Sequence, residues 1–349
     1  MRAATRFAVA LGLGLAVAAH ADERPVVLDV TPVGKPEPLK DLTPAELLHE
    51  PPVHHAPDPP AGGLYAAAEF LLLTPRQRGL DFAIVDPSNN LTPNGRVQSL
   101  HYETQPGFRA TLAYRVPGHG WDLGVTYLYF NSRDDFATTA GAGGLVYPLL
   151  TRAGLTNDAQ GALARARLTM NVYDIELGRR WDADDSLRFR LVGGVRLMTV
   201  RQSLEAVYDG RDADLAFART ESNFDGVGPV AGVESWWSLT KSLGVFGRAT
   251  GGLLTGTMRN PFVETNNGGA TTYADVTDRY ALTVPFAALG IGLSYEYRGV
   301  FLRAGYEVTN FFGLFERPYY YNDFAEGKVL NRSSNVALDG VFIQLGLAF

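Results

Sequence analysis

Arginines and carboxylates in this chain recur at every second position of apolar runs, a spacing that gathers them on one face of an extended strand. Arg188, Arg190 and Arg196 share a face opposite Leu187, Phe189, Leu191, Val195 and Leu197, and Asp174 and Glu176 stand opposite Tyr173, Ile175 and Leu177. Arg109 and Arg115 alternate with Phe108, Ala110, Leu112 and Tyr114, Arg303 and Glu307 with Leu302, Ala304 and Tyr306, and Glu296 with Tyr295 and Tyr297. Glu69, Asp122, Glu234 and Arg248 hold equivalent positions, so seven bases meet seven acids. Such a set has two chemical uses. Hydrated, it lines an aqueous pore for small hydrophilic solutes or ions; paired, it forms a ladder that fills a small lumen. Glu69 with Arg109, and Asp174 or Glu176 with Arg188 or Arg190, are the expected cross-strand partners. The arginine stripe attracts anions locally and neighbouring carboxylates offset part of it, so an open pore would be weakly selective. Arginine outnumbers lysine 27 to 4, which suits planar pairing with carboxylates.

Other chemistry finds little footing. A hydrolase needs a histidine beside an acid or a serine with an orienting group. Within the alternating region only His101 and His119 are available, with Asp134 and Asp135 as acids that could approach His101. Gly141-Ala142-Gly143-Gly144 lacks the lysine of a phosphate-binding loop, and Asn266-Asn267-Gly268-Gly269 reads as a loop tip. Asp209, Asp212 and Asp214 lack the later bidentate glutamate of a calcium loop. His49, His54 and His55 have no rigid element or carboxylate pattern to hold a metal. The expectation is therefore no catalytic residue, no cofactor, no metal and no enzymatic activity. Zero cysteines remove thiol chemistry and disulfides, and a formal charge of −6 argues against a nucleic-acid partner.

The elements that must position the charged set are strands. From Gly62 onward the alternation builds ten of them, including weaker runs over 64–73, 230–237 and 243–254. No apolar stretch of 18 residues occurs past the first twenty, which excludes membrane helices but not a barrel, whose alternating strands average to neutral hydropathy. Short turns fall at 117–120, 182–185, 238–241 and 298–299. Long polar stretches occupy 74–104, 131–166, 201–222, 255–278 and 310–335, and the two kinds alternate strictly. The fold expected is all-β: a transmembrane antiparallel up-and-down barrel of about ten strands, twelve being the alternative, with short periplasmic turns and long outer loops. Trp121, Trp181, Trp236 and Trp237 all lie within five residues of a short turn, as a periplasmic aromatic girdle would.

Residues 1–21 read as a cleaved signal peptide, with Arg2 and Arg6 before an apolar core and Ala19-His20-Ala21 at the cleavage site. Residues 22–60 hold ten of the twenty prolines and read as a periplasmic tether, with a two-turn helix possible after Thr43-Pro44. The barrel is then 61–349. Its last strand puts Val341, Ile343, Leu345, Leu347 and Phe349 on one apolar face, which resembles the C-terminal signature of bacterial outer-membrane barrels and marks the expected signal for the barrel-assembly machinery.

A family resemblance joins these pieces. Gly62-Gly63-Leu64-Tyr65, Glu69-Phe70-Leu71, Arg78-Gly79-Leu80-Asp81, Gly107-Phe108-Arg109, Gly120-Trp121-Asp122, Asp174-Ile175-Glu176-Leu177-Gly178 and Gly226-Val227-Gly228-Pro229 are similar to motifs of the Legionella major outer-membrane protein family, in particular its planctomycete-type members. The resemblance spans about 62–349. It implies a pore-forming barrel in the outer membrane, among lipid and lipopolysaccharide. The family founder is cysteine-rich and this chain is not, so a disulfide-linked oligomer is not carried over. The alternative to a pore is a closed structural or adhesive barrel acting through its outer loops.

Overall fold

The computed structural model describes residues 62–88, 92–320 and 329–349. The expected signal peptide and tether, with its three histidines, lie outside the described residues. Thirteen strands follow one another: β1 (Gly63–Gln77), β2 (Asp81–Asp86), β3 (Arg96–Ser99), β4 (Gln105–Arg115), β5 (Trp121–Thr139), β6 (Leu145–Pro148), β7 (Gly161–Asp182), β8 (Leu187–Gly210), β9 (Ala213–Ser238), β10 (Leu243–Asn266), β11 (Thr271–Tyr297), β12 (Val300–Tyr320) and β13 (Val329–Ala348). Ten of them close an antiparallel barrel in chain order, sealed by β1 against β13, and β2, β3 and β6 form a separate three-stranded sheet. The four short turns stand where turn chemistry puts them. At the last of these, Arg298 and Gly299 both take positive φ, as a two-residue hairpin requires.

Which face a residue occupies follows the period of two. Leu112, Leu123, Ile175, Leu191, Ile291 and Leu293 each expose half or more of their surface on the outside. Their strand neighbours Asp122, Asp174, Arg190 and Ser294 are buried inside. Val341, Ile343, Leu345 and Leu347 face outward on β13, and the Phe349 N–H reaches the Leu64 carbonyl at 2.8 Å. An apolar belt of this kind is stable only under lipid.

The strands run far beyond that belt. Crossing a bilayer takes roughly 9–11 residues, whereas β7 to β11 have 22 to 27. The expected long loops at 201–222 and 255–278 are therefore strand with tight turns at 211–212 and 267–270, and most of 310–335 is likewise strand. The reason is an inversion of the alternation. On β8 the outward face changes from Leu191, Val195 and Leu197 to Thr199, Arg201, Ser203 and Glu205, while the inward face changes from Arg190 and Arg196 to Met198, Val200, Leu204 and Tyr208. Below the change the outside is apolar and the inside charged; above it, water surrounds the barrel and the inside is an apolar core.

The first two outer connections do leave the wall, and they fold over the bore. The β2–β3–β6 sheet buries Phe82, Ala83, Leu145 and Val146. Contacts to five wall strands hold this cap. Tyr208 Oη on β8 donates to the Phe82 carbonyl at 2.5 Å, and Arg317 Nη1 on β12 donates to the carbonyls of Gly79 and Asp81 at 3.2 and 2.8 Å. Ser334 Oγ on β13 donates to the Arg78 carbonyl at 2.9 Å. Arg152 Nη1 donates to the Tyr273 carbonyl on β11, and its backbone N–H donates to Glu264 Oε2 on β10, both at 2.9 Å. Glu264 is fully buried, and that burial pushes its carboxyl up to about 7.

The inversion predicts opposite tolerance for the same substitution at two outward positions. Leu293→Arg, in the apolar belt, should destabilise the barrel by about 2–4 kcal/mol in lipid vesicles. Thr199→Arg, between Asn171 and Asp225 above the belt, should stay within about 0.5 kcal/mol. Urea unfolding reads both, and equal losses would show that the belt does not end there.

Candidate functional site

All fourteen of the charged residues expected on the lumen face point inward, and the structure brings them together as partners rather than as a free lining. The Glu69–Arg109 pair forms as expected, on directly opposed positions of β1 and β4. Arg109 then continues across the bore, placing Nη2 at 2.8 Å from Glu307 Oε1 on β12. From the far wall, Arg248 on β10 reaches Glu307 and also comes to 3.5 Å from Glu69 Oε2. Gln344 Nε2 donates to Glu69 Oε1 at 2.7 Å. Both glutamates are almost wholly buried. Two carboxylates and two guanidiniums from four strands thus meet in mid-lumen.

A second group lies on the β5–β7–β8–β9 wall. Arg190 donates to Asp122 at 2.6 Å, lies 3.2 Å from Glu234 and 3.8 Å from Glu176. Asp122 is on β5, and Arg190 must cross β7 to reach it. The residue crossed is Gly178, where a methyl group would overlap Arg190 Nε and Asp122 Oδ1. Arg196 holds Asp174 with two hydrogen bonds of 2.7 and 2.8 Å and stacks its guanidinium 4.3 Å from the Phe286 ring on β11.

Some expected pairings are corrected. Asp174 pairs with Arg196, not Arg188 or Arg190, because the β7–β8 register sets Arg196 opposite Asp174 and Arg188 opposite Asp182. Arg188 accordingly bridges to Asp182 at 2.9 Å. Glu296 contacts Arg303 at 3.6 Å. Trp121, Trp181 and Trp237 are exposed on the outside, but Trp236 is not part of that girdle. Adjacent residues of a strand face opposite ways, so Trp236 turns inward, where Arg303 and Arg180 lie 5.2 and 5.7 Å from its ring. Arg180 and Trp236 are interior residues beyond the expected set, although parity with Glu176 and Glu234 already puts them there.

Above the charges the bore is apolar, with Leu71, Phe130, Met170, Phe286, Phe311 and Phe342 buried. A cavity of about 170 Å³ remains among the charged side chains and this layer. Among the described residues, His101 and His119 stand apart from both. His101 meets Asp134 through its backbone N–H at 2.8 Å, and the His119 ring contacts the Pro117 carbonyl.

An apolar belt, a closed ten-stranded meander and a polar interior define a β-barrel of the outer membrane. The particular family is equally clear: residues 61–349 match the family described as the Legionella pneumophila major outer membrane protein precursor, and the chain belongs to it. Its location is the cell outer membrane. No curated protein matches in sequence. Among solved structures, the outer-membrane protease OmpT from Escherichia coli is similar at 8% identity, over 82% of this chain and 97% of that chain, with a TM-score of 0.47. The Pseudomonas putida toluene transporter TodX (8% identity, 82% and 90% coverage, TM-score 0.29) and a Pseudomonas aeruginosa FadL homologue (8%, 82% and 90%, 0.24) are further similar structures.

Two glycines of the adjacent strands β7 and β8 test the interior pairing. Gly178→Ala should cost about 1–3 kcal/mol by forcing Arg190 and Asp122 apart. Gly193→Ala, on the outside of β8 with nothing within 4 Å of the added carbon, should be neutral within about 0.5 kcal/mol. Denaturant midpoints of the two refolded variants are the readout.

Proposed function

We propose that the barrel is an occluded, non-enzymatic conduit for ions and very small hydrophilic solutes, held shut by its charge network, rather than a standing general-diffusion pore. The observation that carries this reading is the pair of arginines that span the bore: Arg109 and Arg248 each contact both Glu69 and Glu307. A bore of ten strands is narrow enough for such bridges, whereas sixteen or more strands leave a wide aqueous channel. The mixed-sign lining of the remaining cavity suits hydrated ions once the bridges part. Outer-membrane lipid and lipopolysaccharide surround the belt, and the outward face of β13 is the part offered to the assembly machinery.

A second reading has its own support. The β2–β3–β6 cap and the apolar layer beneath it fill the outer half of the bore, as a permanently closed surface barrel would require. Planar-bilayer recording of the refolded full chain separates the two. The conduit reading expects rare, small steps from the wild type and conductance raised several-fold in the Arg109→Ala/Arg248→Ala variant. Large steady wild-type steps would make it a general pore, and silence from both proteins would make it a closed barrel.

A further inference from the structure

At the short-turn end of the barrel a second cavity of about 220 Å³ opens below the charge network. Five arginines, Arg115, Arg180, Arg188, Arg298 and Arg303, share its wall with a single carboxylate, Glu296. The carboxylates that contact three of them are partly exposed or shared with another arginine. Arg303 takes Glu296 at 3.6 Å, Arg188 takes Asp182 at 2.9 Å, and the carboxylate nearest Arg180, Asp122, lies 3.5 Å from its Nε and is already held by Arg190 at 2.6 Å.

The hydrogen bonding around Trp236 points the same way. Trp236 lies between this vestibule and the inner cavity and lines both, as does Arg180. Two guanidiniums, from Arg180 and Arg303, converge on its ring at 5.7 and 5.2 Å. Yet the indole Nε1–H of Trp236 and the Nε–H of Arg180 are both buried without a hydrogen-bond acceptor. Arginine and indole are donors only, so the neck of this cavity concentrates donors and positive charge and is short of acceptors. A buried donor left unsatisfied is costly, and one bound group would remedy both deficits: an oxyanion, which brings negative charge and several acceptor atoms at once.

We propose that the short-turn vestibule is a binding site for small oxyanions, the phosphate or carboxylate group of a periplasmic solute, with the Trp236 indole N–H and the Arg180 guanidinium as its direct donors and the remaining arginines supplying the attractive field. The site is independent of whether the bore conducts, because it is entered from the turn side and lies below Glu69, Arg109, Arg248 and Glu307.

Indole N–H resonances test it directly. The full chain, refolded in detergent and labelled with ¹⁵N-tryptophan, gives one indole signal for each of its four tryptophans, and Trp236→Phe assigns the one that matters. Titration with inorganic phosphate at constant ionic strength should move the Trp236 signal saturably and leave that of outward-facing Trp237 in place. Arg180→Gln should weaken the apparent affinity about fivefold or more, the effect of losing one hydrogen bond to a charged group. If Arg180→Gln does not refold, as judged by heat-modifiable gel migration, Arg188→Gln should give a smaller weakening. A Trp236 signal that stays still, or that drifts linearly together with the other three, would overturn the site.

Discussion

Ten strands enclose a bore that side chains from opposite walls can bridge, and this limit governs the rest of the molecule. Charges inside so narrow a barrel are removed from bulk water, and an unpaired charge there is strongly unfavourable. Each must find a partner within reach, across the lumen when the adjacent strand offers none. Arginine meets that demand, having both the length to cross and a fork that takes two carboxylates at once. Arg109 and Arg248 do this between Glu69 and Glu307, and Arg190 does it over Gly178. The polar interior is therefore a bonded core, and any passage through it requires pairs to separate.

The same limit explains the two-storey design. Lipid outside the lower storey dictates apolar residues on the outer face, which leaves the inner face to polar pairs. Above the belt the surroundings become aqueous, and burying apolar side chains inside again becomes the main stabilising term. Leu204, Tyr208 and Phe224 then face inward along with Ala164, Ala166, Ala216 and Ala218, whose small size leaves room for Phe82 of the cap.

Much of this was legible in the sequence. Strand number, the four short turns, the lipid face and the inward direction of all fourteen charged residues follow from period two and local turn chemistry, which need no tertiary information. The strand lengths did not follow, because the alternation beyond the belt has polar residues outside and small alanines inside, and it reads like loop. Pairing failed where it depended on register: Asp174 meets Arg196 only because of how the 183–186 turn aligns β7 with β8. Trp236 was misplaced by treating proximity to a turn as sufficient, although two adjacent tryptophans cannot both face lipid. The cap was not foreseen, since its strands are four to six residues long and β6 comes from a different loop than β2 and β3.

The absence of cysteine from the chain makes the central claim, a lumen closed by its own ion pairs, open to a direct measurement. Single cysteines would be placed at Met170, buried above the charge network, and at Ser238 on the vestibule wall. The modification rate by a charged, membrane-impermeant thiol reagent would then be compared in the refolded barrel. A closed network predicts fast reaction at Ser238→Cys and a rate at Met170→Cys lower by orders of magnitude. Comparable rates at the two positions would contradict it, because water and reagent would then have a standing path past Arg109 and Arg248.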